Sequence, residues 1–143
     1  MKTLKQVIEM KDIKELLTIS PTQTVLEALI VMAEYKIGAL LVTDKEKMVG
    51  IVSERDYARE IILHKKSSNE TLVKDIMTKK VLFLDPSDSF EKGLEIMTEK
   101  KVRHIPVLKG NKIIGMVSQG DLVKEMISHQ KDLISQLEIF IQN

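Results

Sequence analysis

The chain has no cysteine, which removes disulfides, thiolate metal sites and cysteine nucleophiles together. It has no tryptophan, two tyrosines and three phenylalanines, too few aromatic faces for a strand binder that works by stacking bases. Neither sign of charge dominates. The 22 Lys and Arg stand against 21 Asp and Glu, for a formal net charge of +1. That balance makes no broad field for nucleic acid or an anionic membrane, so any anion must be held by a local arrangement. Long apolar runs are missing too. The longest, Ala28 to Ala33, is six residues, against roughly 20 for a membrane-spanning helix. The N-terminal stretch MKTLKQVIEMKD mixes charged with apolar residues and lacks a signal-peptide core. These absences point to a cytoplasmic protein with no membrane or nucleic-acid partner.

Catalytic signatures are equally scarce. The three histidines, His64, His104 and His129, show no metal-ligand spacing with one another or with an acidic ligand. His64 and His129 are expected to face solvent. No P-loop and no dinucleotide glycine motif occurs. The chain therefore reads as a non-enzyme, with no catalytic residues and no metal. What it does have is apolar content of 43%, enough for a buried core, on a length that fits one ordinary domain or two very small ones.

An internal repeat organises that content. At an offset of 65, Ile19–Asp56 aligns without a gap, and 11 of 38 positions are identical, among them Pro21/Pro86, Met32/Met97, Gly50/Gly115, Ser53/Ser118 and Asp56/Asp121. Two copies of so long a period argue against a solenoid. Each copy reads strand, helix, strand, strand, helix. The first strand is expected at Leu16–Ile19 and Val81–Leu84, followed by a proline turn. Thr24 and Ser89 are the expected N-caps of the next helix. Paired strands are expected at Ala39–Thr43 with Met48–Val52, and at Ile105–Leu108 with Lys112–Val117, joined by polar turns. The polar stretch His64–Glu70 reads as a linker. A unit of about 60 residues is marginal alone. The expected fold is therefore α/β (α+β): two βαββα repeats packed sheet to sheet about a pseudo-twofold axis, plus a long C-terminal helix. The spans are 5–66, 67–130 and a helical extension 131–143.

The phrase GIVSERD, Gly50 to Asp56, returns as GMVSQGD, Gly115 to Asp121. In each, a strand ends, a serine opens a helix, and an aspartate follows in its first turn. Free N–H groups at a helix start favour an anion or polar oxygen. The carboxylate suits paired hydroxyls such as a ribose diol. The same S-x-x-D spacing is also a capping box, in which serine and acid satisfy each other's backbone donors. Duplication of a fold would duplicate its caps, so both readings stand.

Several segments together carry a family resemblance: VKDIMT (Val73–Thr78), ISPTQTVLEALIVMAEYKIGALLVTD (Ile19–Asp44), GIVSERDYAR (Gly50–Arg59) and KVRHIPVLKGNKIIGMVSQGDLVKEMI (Lys101–Ile127). The chain resembles a tandem pair of cystathionine-beta-synthase (CBS) domains, the Bateman module, over about residues 5–130. It is also similar to stand-alone CBS-pair proteins. The resemblance implies an adenine-nucleotide site in one or both clefts between the repeats. AMP is the first expectation, and ADP, ATP, NAD(H) or S-adenosylmethionine are the others. It gives Asp121 and Asp56 the ribose, and Ser118 and Ser53 the neighbourhood of the first phosphate. Adenine would lie among Ile19, Ile37, Val81, Ile114 and Met116, read by backbone near Leu16 and Val81. Arg103 and His104 stand where the family often places phosphate-binding basic residues, while the first repeat has Gly38 and Ala39 there. Arg55, conversely, is matched by Gly120. The Asp121 site is thus expected to be the tighter one.

From Gln119 to the end no proline or glycine follows Gly120. Leu122, Met126, Leu133, Leu137, Phe140 and Ile141 form an interrupted apolar stripe, with a bend or break expected over Ser128–Asp132. It reads either as packed on its own domain or as a homodimer contact. The functional expectation is a sensor of energy or redox state that modulates a partner protein. The alternative is a structural homodimerisation module with vestigial ligand clefts.

Overall fold

The computed structural model describes residues 2–11 and 16–142. The chain divides into two compact units: Glu15–Leu82, and Met1–Lys14 together with Phe83–Asn143. Each repeat has a unit of its own. The units nevertheless cut across the contiguous spans 5–66 and 67–130, because the segment preceding each repeat is not packed on the repeat that it precedes.

In the first-repeat unit the elements are β1 (Thr18–Ile19), α2 (Val25–Tyr35), β2 (Ala39–Asp44), β3 (Lys47–Ser53), α3 (Glu54–Tyr57) running into a π-helical stretch (Ala58–Ile62), and α4 (Val73–Ile76). The second-repeat unit holds α1 (Leu4–Glu9), α5 (Phe90–Lys100), β4 (His104–Lys109), β5 (Lys112–Ser118) and α6 (Gln119–Gln142). Thr24 and Ser89 cap α2 and α5 as the sequence predicts, their hydroxyls accepting from Glu27 and Lys92 N–H. Both helices end on a lysine in left-handed backbone, Lys36 at φ 55° and Lys101 at φ 57°. The antiparallel hairpins β2–β3 and β4–β5 even share their irregularity, a register shift after Val42 and after Val107.

The first strand is shorter than expected. β1 pairs in parallel with β2 at only Thr18↔Leu41 and Ile19↔Val42. In the second repeat it shrinks to one bridge, Leu84↔Val107. Pro106 stands where Leu41 does and has no N–H to offer a longer ladder. The last helix, conversely, is longer. Residues 119–142 form one α-helix, so the break expected over Ser128–Asp132 does not occur; a polar stretch ends an apolar stripe without ending a helix. His129 is not turned to solvent either. Its ring meets Phe90 edge-on with centroids 5.8 Å apart. Among the described residues no helix is long and apolar enough to cross a membrane.

Each unit buries a matched core. Ile19, Val25, Met32, Leu40, Val42 and Val52 fill one, and Leu84, Phe90, Met97, Ile105, Val107 and Val117 fill the other at the same repeat positions. Each core is completed by a short helix from outside its repeat. Val73 and Ile76 of α4 close the first, Leu4 and Val7 of α1 the second. The docking bonds correspond one to one. Val73 N–H donates to Gln23 O and Lys74 N–H to Pro21 O, at 2.8 and 3.0 Å; Leu4 N–H donates to Asp88 O and Lys5 N–H to Pro86 O, also at 2.8 and 3.0 Å. This second repeat, offset by 69, is too short and too diverged to stand out in the sequence.

Gly50 and Gly115 make room for these segments. A Cβ on Gly50 would lie 2.7 Å from Met77 Sδ and 2.9 Å from the Thr78 carbonyl oxygen, whereas one on Gly115 would meet only side-chain atoms of Ile8 at 3.2 Å. Backbone yields less readily than a side-chain tip. Gly50→Ala should therefore cost about 1–3 kcal/mol and Gly115→Ala less than about 1 kcal/mol, measured by urea denaturation; equal costs would contradict this packing.

Candidate functional site

The S-x-x-D phrase forms the same structure twice. A strand delivers Ser53 or Ser118 in extended backbone, and a helix begins at the next residue. The helix's first N–H returns to the strand-leading residue of the same repeat: Glu54 to Gly38 O at 3.1 Å and Gln119 to Arg103 O at 2.8 Å. Asp56 N–H donates to Ser53 Oγ at 3.3 Å, and Asp56 Oδ2 accepts from Ser53 N–H at 2.9 Å and from Ser53 Oγ at 3.0 Å. In the second repeat Asp121 N–H donates to Ser118 Oγ at 3.1 Å, and Ser118 N–H donates to Asp121 Oδ2 at 2.8 Å. Both are complete capping boxes, so the structural reading of the motif is realised in both copies. Such a cap contributes about 1 kcal/mol. It also fixes the carboxylate at the helix mouth through Oδ2, with Oδ1 outside the capping bonds.

Two further residues reach these mouths, and the sequence pattern did not reveal them. Thr78, just after α4, places its hydroxyl 3.4 Å from Asp56 Oδ1 and bridges Ile51 in antiparallel fashion. Lys11, just after α1, lies with Nζ 3.0 Å from Asp121 Oδ2 and 2.9 Å from the Met116 carbonyl oxygen. Lys11 is 110 positions from Asp121, and no motif spacing links them. Aligning the segments ahead of the two repeats at offset 69 pairs Leu4 with Val73 and Val7 with Ile76, but it sets Thr78 against Glu9 and Lys11 against Lys80, so it does not find the pair either.

The second-repeat unit brings together Ser118, Asp121, Arg103 and His104. Arg103 is exposed and His104 half-buried. Ile114 packs partly buried on the core, and Met116 is half-buried on β5. The first-repeat unit holds Ser53 and Asp56 with Gly38 beside them, and Ile37 partly buried on its core. Leu16 is 43% exposed and Val81 half-buried. Two of the expected site residues are buried. Ile19 is 3% exposed within the core, and Ala39 is fully buried in β2. The Ile19 side chain fills the first-repeat core, whereas Ala39, alternating along β2 with the core residues Leu40 and Val42, lies on the other face of the sheet. Among the described residues no group of His, Cys, Asp and Glu could hold a metal ion.

His104 reports the electrostatics of the Asp121 mouth. Burial holds it below the ordinary value of 6.5; attraction by Asp121 opposes this, and Lys11 and Arg103 add to the lowering. The neutral form is thus the one the fold accommodates. Its contribution is fully present above about 6.5 and is lost as pH falls through that value toward the folded one, because the unfolded chain takes the proton first. Urea midpoints should fall between about pH 7.5 and 5.5, and His104→Gln should flatten that slope; a slope unchanged by the substitution would count against this burial effect.

With the two mouths in view, the class follows: a repeated strand-to-helix turn, each copy closed by a short helix from ahead of a repeat. A CBS-domain profile matches residues 6–63 and 73–128, and the chain belongs to the CBS-domain family. A CBS-domain protein of known structure from Burkholderia ambifaria is 44% identical and superposes with a TM-score of 0.86, covering 90% of this chain and 96% of its own. The mitochondrial CBS domain-containing protein CBSX3 of Arabidopsis thaliana is 37% identical over 124 residues, which are 83% of this chain; this chain spans 60% of that relative's length. An inosine-5'-monophosphate dehydrogenase from Methanocaldococcus jannaschii is 38% identical over 114 residues, but these are 22% of that enzyme. CBS-pair proteins are generally regulatory and ligand-binding.

Proposed function

We propose that this chain is a regulatory CBS pair that binds an adenosine-containing ligand, with AMP first among ADP, ATP, NAD(H) and S-adenosylmethionine. Occupancy would report energy or redox state to a partner protein. The carrying observation is the twice-built mouth, in which main-chain bonds fix one carboxylate oxygen of Asp56 and of Asp121. Ribose hydroxyls would be taken by each carboxylate. At the Asp121 mouth, Arg103 supplies a fixed fork for phosphate oxygens, and Ile114 and Met116 supply apolar surface for the base. Ser118 lies beside the first phosphate. The chemistry is binding, not catalysis, and the setting is the cytoplasm. The dehydrogenase likeness, confined to a fifth of that enzyme, fits a regulatory module.

Magnitudes favour shared work. Hydrogen bonds from hydroxyls to a charged acceptor contribute about 1.5–3 kcal/mol each, and micromolar affinity needs about 8 kcal/mol. The ribose contact alone falls short, so phosphate and base must supply the rest. AMP should raise the melting temperature of the chain, and Asp121→Ala should abolish most of that rise. If AMP, ATP, NADH and S-adenosylmethionine all leave melting unmoved, this function is wrong.

A second reading has its own support. The carboxylates are already engaged as caps, as a structural homodimerisation module with vestigial mouths requires. Homodimerisation belongs to both readings. Along the end of α6, Leu137 is 60% exposed and Phe140 and Ile141 are 80% exposed, an apolar surface that costs free energy in water. Light scattering should give the mass of a dimer, and Leu137→Glu with Phe140→Glu should shift it to a monomer. A dimer untouched by that pair of changes would place the contact elsewhere.

A further inference from the structure

The two mouths share a main-chain frame and differ in charge. In the first-repeat unit the Ile51 carbonyl accepts from Thr78 N–H at 2.8 Å, and the Thr78 hydroxyl is the group near Asp56. In the second-repeat unit the matching carbonyl, that of Met116, accepts instead from the Lys11 ammonium, which also pairs with Asp121. One ammonium replaces a main-chain N–H and a hydroxyl. Two other differences run the same way: Arg103 stands for Gly38, and Gln119 for Glu54. Gly120 for Arg55 runs against them. The Asp56 mouth thus carries Glu54 and Asp56 against Arg55, and the Asp121 mouth carries Lys11 and Arg103 against Asp121. His104 lies half-buried at the latter.

We infer that Lys11 sets the charge preference of the Asp121 mouth, which selects a phosphate-bearing adenosine ligand over the uncharged nucleoside, while the Asp56 mouth has no such preference. This rests on the nucleotide reading above. A lysine ammonium has three donors, and Lys11 gives two to Met116 O and Asp121 Oδ2. One donor and the charge remain for a phosphate oxygen. The Lys11 and Asp121 side chains are 29% and 25% exposed, so solvent screens this charge less than one on the open surface. The pair also keeps the ammonium at the mouth before a ligand arrives, so that little side-chain entropy is lost on binding. A purely structural brace would behave otherwise: its removal would weaken the mouth for nucleoside and nucleotide alike.

The test is calorimetric titration of the full chain with AMP and with adenosine, on an Asp56→Ala background in which only the Asp121 mouth contributes. AMP should bind more tightly than adenosine. Lys11→Gln should weaken AMP about tenfold and leave adenosine within about twofold. Lys11→Arg should retain most of the AMP affinity, and added salt should weaken AMP more in the parent than in Lys11→Gln. An AMP-to-adenosine ratio unchanged by Lys11→Gln overturns the inference, as does loss of AMP binding on Asp56→Ala alone. If Lys11→Gln does not fold, the salt series on the parent decides, and AMP affinity indifferent to salt overturns it. Failure of both probes to bind the unmodified chain removes the nucleotide reading itself; binding with an unshifted ratio removes only the role of Lys11.

Discussion

Everything at the mouths depends on how two short helices dock. The N–H groups of Leu4 and Lys5 reach the carbonyls of Asp88 and Pro86, and those of Val73 and Lys74 reach the carbonyls of Gln23 and Pro21. Unpaired N–H groups at a helix start are costly when buried, and here a turn of the core repeat satisfies them. Leu4 and Val73, both fully buried, then fill the cavity that a repeat of this size leaves. The chain leaving each docked helix must run past the hairpin, and the glycine at position 50 or 115 permits that approach. Thr78 and Lys11 arrive at the aspartates as a consequence. Undocking α1 would remove a wall of the core and the ammonium of the Asp121 mouth together.

The geometry of the capping boxes leaves room for the proposed binding role beside the structural one. A capping aspartate spends one oxygen on its serine's N–H and gains a fixed position. An unanchored carboxylate would have to be ordered by the ligand, at a cost in side-chain entropy. The same bonds that stabilise the helix start therefore pre-organise the acceptor. Under the proposed function, stability and affinity would both pass through Asp56 and Asp121, so a variant at either position would have to be read on two axes, cap loss and ligand loss.

Much of this was legible in the sequence. The offset of 65, the caps at Thr24 and Ser89, the hairpins and the S-x-x-D turns all rest on local chemistry, in which the deciding residues are neighbours. What stayed hidden was set by distant partners. Pro106 shortens a pairing with Leu84 that lies 22 positions away. His129 sits on Phe90, and a polar stretch of α6 stays helical because no breaker interrupts it. The core place of Ile19 was not legible, because an apolar residue near a motif suits a ligand and a core equally. Lys11 was invisible because its helix packs with the second repeat rather than with the one it precedes.

Comparing the repeats with each other separates frame from content. The frame is main chain: the return bonds to Gly38 and Arg103, the docking bonds at Pro21 and Pro86, and the shared register shifts. A backbone bond tolerates almost any side chain, so these survive divergence of most of the aligned positions. The content is side chains at the rim, and there the copies part: Thr78 against Lys11, Gly38 against Arg103, Glu54 against Gln119. Packing does not require these differences, since both frames close with the same bond lengths to within a few tenths of an ångström. A rim free of packing constraints can vary for recognition. Under the proposed function, two mouths alike in frame and unlike in charge would give one chain two different answers to the same pool of ligands.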